Sequence, residues 1–363
     1  MVLRVPLRGR TSTGFVWEDR NLIDNAGLAE LLAVASEQTE GNLQRALRRA
    51  SRRAMTWPVE IAELAERGEI QTLEGVGPHL ERIITRWLEE DEPVPTPPEI
   101  RDGFLTLTQV QAILARNPGV RVNGDLQSHT VWSDGGVTVA ELAALAEAQG
   151  FRYQAVTDHS KGLKIAGGMD EDELTRQGYE IEDVNERYAA GGFRLLRSIE
   201  MNLSVTGEGD MDPKALAELD LVLASFHSKL RIKEDQTERY LAALANPDVH
   251  ILGHPQGRMY DFRTGLHADW RRVLAEATRV GKAVEVDGFP NRQDFKVDIL
   301  HLAAEEGTTI SLGSDAHWPG QIGFVDFGLA AALEAGIPEE RILNLKEADA
   351  LLEWAAELRE RSA

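Results

Sequence analysis

The chain has 363 residues, 42% hydrophobic and 27% charged, with a formal net charge of -21, a length that suits a barrel-sized domain plus a small satellite. It contains no cysteine, which excludes disulfides, thiolate metal ligands and a cysteine nucleophile. The charge excludes a protein that coats nucleic acid through its overall field, but it permits a local basic patch, or a metal site whose ions supply the positive charge. The opening stretch, MVLRVPLRGRTSTGFVWEDR, holds no apolar leader core, and no apolar run is long enough to span a membrane, so a cytoplasmic protein with no membrane partner is expected.

Residues 1–90 read as a small all-α domain. Leu28, Leu31 and Leu32, then Leu43, Leu47 and Ala50, form apolar stripes at helical spacing, and Trp57-Pro58 opens a helix holding Ile61 and Leu64. Arg45, Arg49 and Arg52 share a face, flanked by Arg48 and Arg53. That face fits a DNA backbone, or else a solvated surface paired with Glu37 and Glu40. LEGVGPHLERIITRWL reads as a helix-hairpin-helix. Gly75 and Gly77 would let the backbone approach a phosphate, with the free amides of the following helix pointing at it; a simple tight turn accounts for the same glycines. The acidic, proline-rich DEPVPTPPEI then reads as an extended linker and FLTLTQVQAILARNP as a short helix, which together make residues 91–120 a connector.

From about Arg121 to the end, residues 121–363, the pattern alternates. Strand-like runs end in VNGDLQSH, YQAVTDH, LLRSIEM, LVLASFH, VHILGH, AVEVDG and TISLGSDAH, separated by amphipathic stretches such as ELAALAEAQG, TERYLAALANP, DWRRVLAEATRVGK and VDILHLAAEEG. Such β/α repeats predict an α/β fold, a distorted (β/α)7 parallel barrel with its chemistry at the C-terminal strand ends. ALLEWAAELRERSA reads as a closing helix packed by Leu351, Leu352 and Trp354.

Polar residues follow these runs directly: Gln127, His129 and Asp134, then His159, Glu200, His227, His254, and finally Asp315 with His317. Imidazole and carboxylate are the donors that zinc, manganese and iron favour, and a cluster of ions about 3.5–4 Å apart needs a bridging acid. His250, His267 and His301 match no such position and read as surface or core histidines, while Asp212 in GEGDMD caps the helix PKALAEL as readily as it touches a metal. Arg258, Arg292 and Lys164 follow ligand-bearing strands and suit either phosphate oxygens or surface ion pairs.

TDHSKGLKIAGGMD, ASFHSKL, ILGHPQGR and SLGSDAH resemble the polymerase and histidinol phosphatase (PHP) superfamily, most nearly the PHP domain of bacterial family X DNA polymerases, over about residues 121–330. The resemblance implies a barrel holding two or three divalent ions, zinc, manganese or iron, that hydrolyses phosphoesters with a metal-activated water. Carried over by position, Gln127, His129, Glu200 and Asp315 would hold one ion, Glu200, His227 and His254 a second, and Asp134, His159 and His317 a third, with Glu200, His129 and Asp315 catalytic. Gln127 departs from the pattern, standing where the family has a histidine, and an amide oxygen is a weaker donor.

RALRRASRR, WPVEIAELAERGEI and the hairpin resemble the small DNA-binding domain of the same polymerases over about residues 20–90. No lysine precedes Lys161, so the module has no Schiff-base nucleophile. Only about thirty residues separate it from the barrel, too few for a nucleotidyltransferase core. The implied function is a phosphoesterase acting at DNA ends as a 3′-5′ exonuclease, 3′-phosphatase or abasic-site endonuclease, with weak, sequence-independent DNA binding through Arg45, Arg49, Gly75 and Gly77. The alternatives are a small-molecule phosphatase of the histidinol-phosphatase type and a non-catalytic DNA-binding protein with a degenerate PHP site.

Overall fold

The computed structural model describes residues 23–362, so the first 22 residues of the module assigned to 1–90 lie outside the described residues. The chain divides into two compact units, Met1–Gln109 and Val110–Ala363.

The first unit is helical: α1 (Asn25–Glu37), α2 (Gly41–Ala54), α3 (Ile61–Arg67) and α4 (Pro78–Glu89), with a 3-10 turn at Ile70–Thr72. Asp24 starts α1 by accepting from the Gly27 amide at 2.7 Å. The apolar stripes do pack inward, for Leu28, Leu32, Leu47, Ala50, Ile61 and Ile84 are all buried. Arg101, also buried, is bonded to Glu30 at 2.8 Å and to Glu37 at 2.6 Å. Arg45, Arg49 and Arg52 are exposed. Gly75 takes a left-handed φ of 86° in the turn before α4, which only glycine adopts at little cost. Gly77 precedes α4 with no side-chain cap over the helix's first amides.

The second unit is a parallel β/α barrel. Its strands are β1 (Gly124–Asp125), β2 (Tyr153–Val156), β3 (Arg194–Arg197), β4 (Glu200–Asn202), β5 (Leu223–Ser225), β6 (Ile251–Leu252), β7 (Ala283–Asp287) and β8 (Thr309–Gly313). β1 to β3 pair in order, as do β4 to β8, every pair parallel. The third strand-like run is broken at Ser198–Ile199 into β3 and β4. The wall remains continuous across the break, because Ser198 and Glu200 donate to Val156 and Asp158, and Leu223 donates to Ile199. First and last strands are joined by the Leu126 amide on the Leu312 carbonyl, Asp315 on Gln127 and His129 on Ala316. Parallel neighbours need crossovers, which the helices between strands supply.

Those helices carry their own start signals. Val139–Ala148 opens with a Thr138/Glu141 capping box, and Glu171–Tyr188 with an Asp170/Glu173 one. The closing helix, Ala348–Ser362, buries Leu351 and Ala355 against Tyr153, Leu196, Leu223 and Ile251, with Leu352 and Trp354 partly buried beside them. No described helix is long and apolar enough to cross a membrane.

Candidate metal centre

Apart from Glu200, which opens β4, each candidate ligand stands in the stretch that follows a strand, at the end of the barrel where the strands finish. At the centre is Glu200, fully buried at the start of β4. Its Oε1 lies 2.7 Å from His254 Nε2 and 3.1 Å from His227 Nε2; its Oε2 lies 3.0 Å from His159 Nδ1 and 3.6 Å from His129 Nε2. His129 Nε2 is also 2.9 Å from Asp315 Oδ1. Asp134 Oδ1 lies 3.5 Å from His159 and 3.4 Å from His317.

Donor atoms within 4.8 Å of one another form three groups: His129, Asp134, His159 and His317; His159, Glu200 and His227; and His129, Glu200 and Asp315. They share members, as expected of a cluster in which ions are bridged. His129 Nδ1 is buried with no hydrogen-bond partner among the described residues, and the buried His159 Nδ1 and Glu200 Oε2, though 3.0 Å apart, make no well-aligned hydrogen bond. Buried polar atoms left without a well-made hydrogen bond are costly unless something else satisfies them, and an all-imidazole and carboxylate set fits divalent ions.

The electrostatics agree. Burial alone would raise the Glu200 carboxyl, but the fields of His159, His227 and His254 hold it well below the usual range. His254 is pushed up to about 9, the Glu200 charge outweighing burial. His129 is driven down by burial and by the neighbouring His159 and His317. One carboxylate is thus serving several imidazoles, a task that cations would share.

Outer partners orient the rings. His227 Nδ1 meets Asn202 Oδ1 at 3.1 Å and His317 Nδ1 meets the Asp315 carbonyl at 2.7 Å, leaving Nε2 of each for the centre. Asp158 gathers the loop carrying His129 and Asp134: it accepts from the Thr130 amide (2.8 Å), Thr130 Oγ1 (2.6 Å), Ser133 Oγ (2.5 Å) and Gln177 Nε2 (2.6 Å). Asp315 holds a left-handed φ of 50°, which Asp tolerates better than most residues.

Gln127 is buried, and with its amide nitrogen turned to Glu285 it donates to both carboxylate oxygens, at 2.6 and 3.1 Å. Gly313 makes room for this pair, since a Cβ there would lie 2.3 Å from Glu285 Oε1. Burial pushes Glu285 well above the carboxylate range, with the charges of Asp287 and Glu200 adding to it.

A cleft of about 360 Å³ opens over the cluster, lined among others by Arg258, Arg263, Arg292 and Asp294. Arg292 forms an ion pair with Asp315. Lys164 is exposed in a 3-10 turn, and the wall there is made by its neighbours Leu163, Ile165 and Ala166. His250 is a core residue that accepts from the Val222 amide at 3.1 Å, His301 meets the Ala335 carbonyl at 3.2 Å, and His267 is exposed. Asp212 caps the short helix Pro213–Leu216. Arg263, Asp294, Asp158 and Glu285 carry no sequence signal of the kind that marks the ligands.

A probable phosphatase of Syntrophotalea carbinolica is 30% identical over 231 residues, 61% of this chain and 90% of that protein. The chain belongs to the PHP superfamily. The probable phosphatase YcdX of Escherichia coli is 27% identical over 229 residues, 61% of this chain and 89% of its own length. The DNA polymerase/3′-5′ exonuclease PolX of Bacillus subtilis is 34% identical over 261 residues, 70% of this chain, which spans only 45% of that relative. No protein-family model matches. Among solved structures, a histidinol phosphate phosphatase from Lactococcus lactis superposes with a TM-score of 0.44 at 17% identity, covering 59% of this chain and 94% of its own.

Proposed function

We propose that this chain, a metal-dependent phosphoesterase of the PHP superfamily, acts on phosphoester bonds at DNA ends, as a 3′-5′ exonuclease, 3′-phosphatase or abasic-site endonuclease. The hydrolase reading is carried by Glu200, one buried carboxylate facing four imidazoles at the mouth of the barrel. His129, Glu200 and Asp315, with the Gln127 oxygen, would hold one ion; Glu200, His227 and His254 a second; Asp134, His159 and His317 a third. Zinc, manganese or iron bound there supplies an acidified water and a positive field for phosphoryl oxygens. Arg258 and Arg292 line the cleft and offer planar forks to the phosphate. Arg292 is now neutralised by Asp315, a partner that it would share with an incoming anion.

The DNA assignment is supported by the helical unit, with its exposed Arg45 and Arg49 and its uncapped turn at Gly75–Gly77, and by similarity to a relative named as a polymerase and exonuclease. The module is expected to bind DNA without sequence preference at about 10⁻⁴–10⁻⁶ M at physiological salt, and replacing Arg45 and Arg49 together by Ala should lower the salt slope on duplex by about 2. Unchanged affinity and slope in a salt titration would make the face a solvated surface only.

Metal analysis coupled with a substrate screen tests the whole reading. With manganese added, single-stranded or nicked DNA should be cleaved faster than p-nitrophenyl phosphate. Turnover of small phosphomonoesters alone would point to a histidinol-phosphatase type of activity, and metal-loaded protein inert on both would point to a binding protein.

Gln127→His is expected to tighten zinc at the first position, because an imidazole is the better donor. Competition with a chromogenic chelator checks this. A weaker hold on zinc would mean that Gln127 serves Glu285 rather than an ion.

A further inference from the structure

The lining of the cleft holds three arginines alongside Asp294 and Asp315. Arg263 lines it with Arg258 and Arg292. Arg263 is half-buried, its Nε donating to the Gly257 carbonyl, and it sits on a small hairpin closed by the Met259 amide on the Arg263 carbonyl (2.8 Å) and the Arg263 amide on Met259 (2.9 Å). The same hairpin presents Phe262, which is 48% exposed, and the exposed Arg231 guanidinium stacks over that ring at 4.4 Å. Arg231 follows Leu230, itself a lining residue of the cleft.

These cations crowd one another. Burial, and then the fields of Arg292 and Arg231, lower the Arg263 guanidinium from its ordinary value. Arg292 has counter-charges in Asp315 and, at 3.7 Å, Asp287. Asp294, whose charge also reaches Arg263, is spent on the backbone amides of Gln256, Gly257 and Arg258. In a chain of net charge -21, one arginine fixed on the cleft wall by its hairpin and a second stacked on the Phe262 ring of that hairpin are suited to meet an anion.

We infer that Arg263 and Arg231 form a second phosphate subsite beside the metal cluster, which makes the cleft selective for phosphoesters that carry a further phosphate, as a nucleotide chain does. Phe262 keeps Arg231 extended over the rim. The inference rests on the phosphoesterase reading for what happens at the first phosphate, but the subsite is a binding property and can be measured separately.

Calorimetric titration of the full, manganese-loaded chain with thymidine 3′,5′-bisphosphate and with thymidine 5′-monophosphate tests it. The bisphosphate should bind about 10-fold more tightly, the worth of one charge-assisted contact. Arg231→Ala with Arg263→Ala should bring that ratio close to 1 while leaving monophosphate affinity within about 3-fold. Arg231→Ala alone alters only an exposed side chain and should lower the ratio partway, and Arg263→Lys should keep part of it. Equal binding of the two nucleotides by the wild-type chain, or a preference that survives the double substitution, overturns the subsite. If the wild-type chain hydrolyses neither p-nitrophenyl phosphate nor DNA, the phosphoesterase reading falls, and the nucleotide titration still decides the subsite.

Discussion

Glu200→Gln is expected to abolish hydrolysis and to remove at least one ion per chain. The substitution keeps shape and changes only charge, so it isolates what the carboxylate does. Both oxygens are engaged, Oε1 by His227 and His254 and Oε2 by the approach of His159 and His129, and the group is buried away from water. If two cations share Glu200, a neutral amide there would leave their mutual repulsion without the anion that offsets it. It also places an NH₂ donor where a ligand lone pair is needed. A loss on the order of 10³-fold or more in kcat/KM follows, about 4 kcal/mol of transition-state stabilisation. Elemental analysis and steady-state kinetics should change together. Full metal content with full turnover in this variant would require the cluster to be redrawn without a Glu200 bridge.

Asp158→Ala should have the next largest effect, although Asp158 touches no candidate ion. It accepts from four donors, two on Thr130 and one each on Ser133 and Gln177, and it lies fully buried. Truncation strands those donors at about 1–3 kcal/mol for each one left buried, and frees the loop between His129 and Asp134. We expect a destabilisation of several kcal/mol in denaturant titration and about 10–100-fold weaker binding of the ion nearest Asp134, the range found when outer partners of metal ligands are lost. Asp158→Asn, which keeps an acceptor oxygen, should recover part of both losses. Unchanged stability and metal affinity in Asp158→Ala would show that the loop holds itself.

The barrel was legible because its period is simple: apolar runs that alternate with amphipathic stretches have few ways to fold. The candidate ligands stood out because each interrupts an apolar pattern at its end, as His159 does at the end of YQAVTDH and Glu200 at the end of LLRSIE. The break of the third run at Ser198–Ile199 was not, since neither residue is a breaker; it falls where the pairing passes from β2, the neighbour of β3, to β5, the neighbour of β4. Glu285 was hidden for the opposite reason: it lies inside the buried strand AVEVD, where its alternation reads as ordinary strand. Asp294 and Asp158 accept from residues between 19 and 38 positions away, and such approaches leave no local mark. Lys164 shows how far position alone can mislead, for a 3-10 turn puts its apolar neighbours, not the lysine, on the cleft wall.

Metal reconstitution tests the central claim most directly. Protein stripped by a chelator should show no phosphoesterase activity on DNA ends or p-nitrophenyl phosphate, and titration with manganese or zinc should restore it, with full turnover only after two or more ions per chain are bound. Activity that persists in the stripped protein, or saturates with a single ion, would contradict a bridged centre built on Glu200.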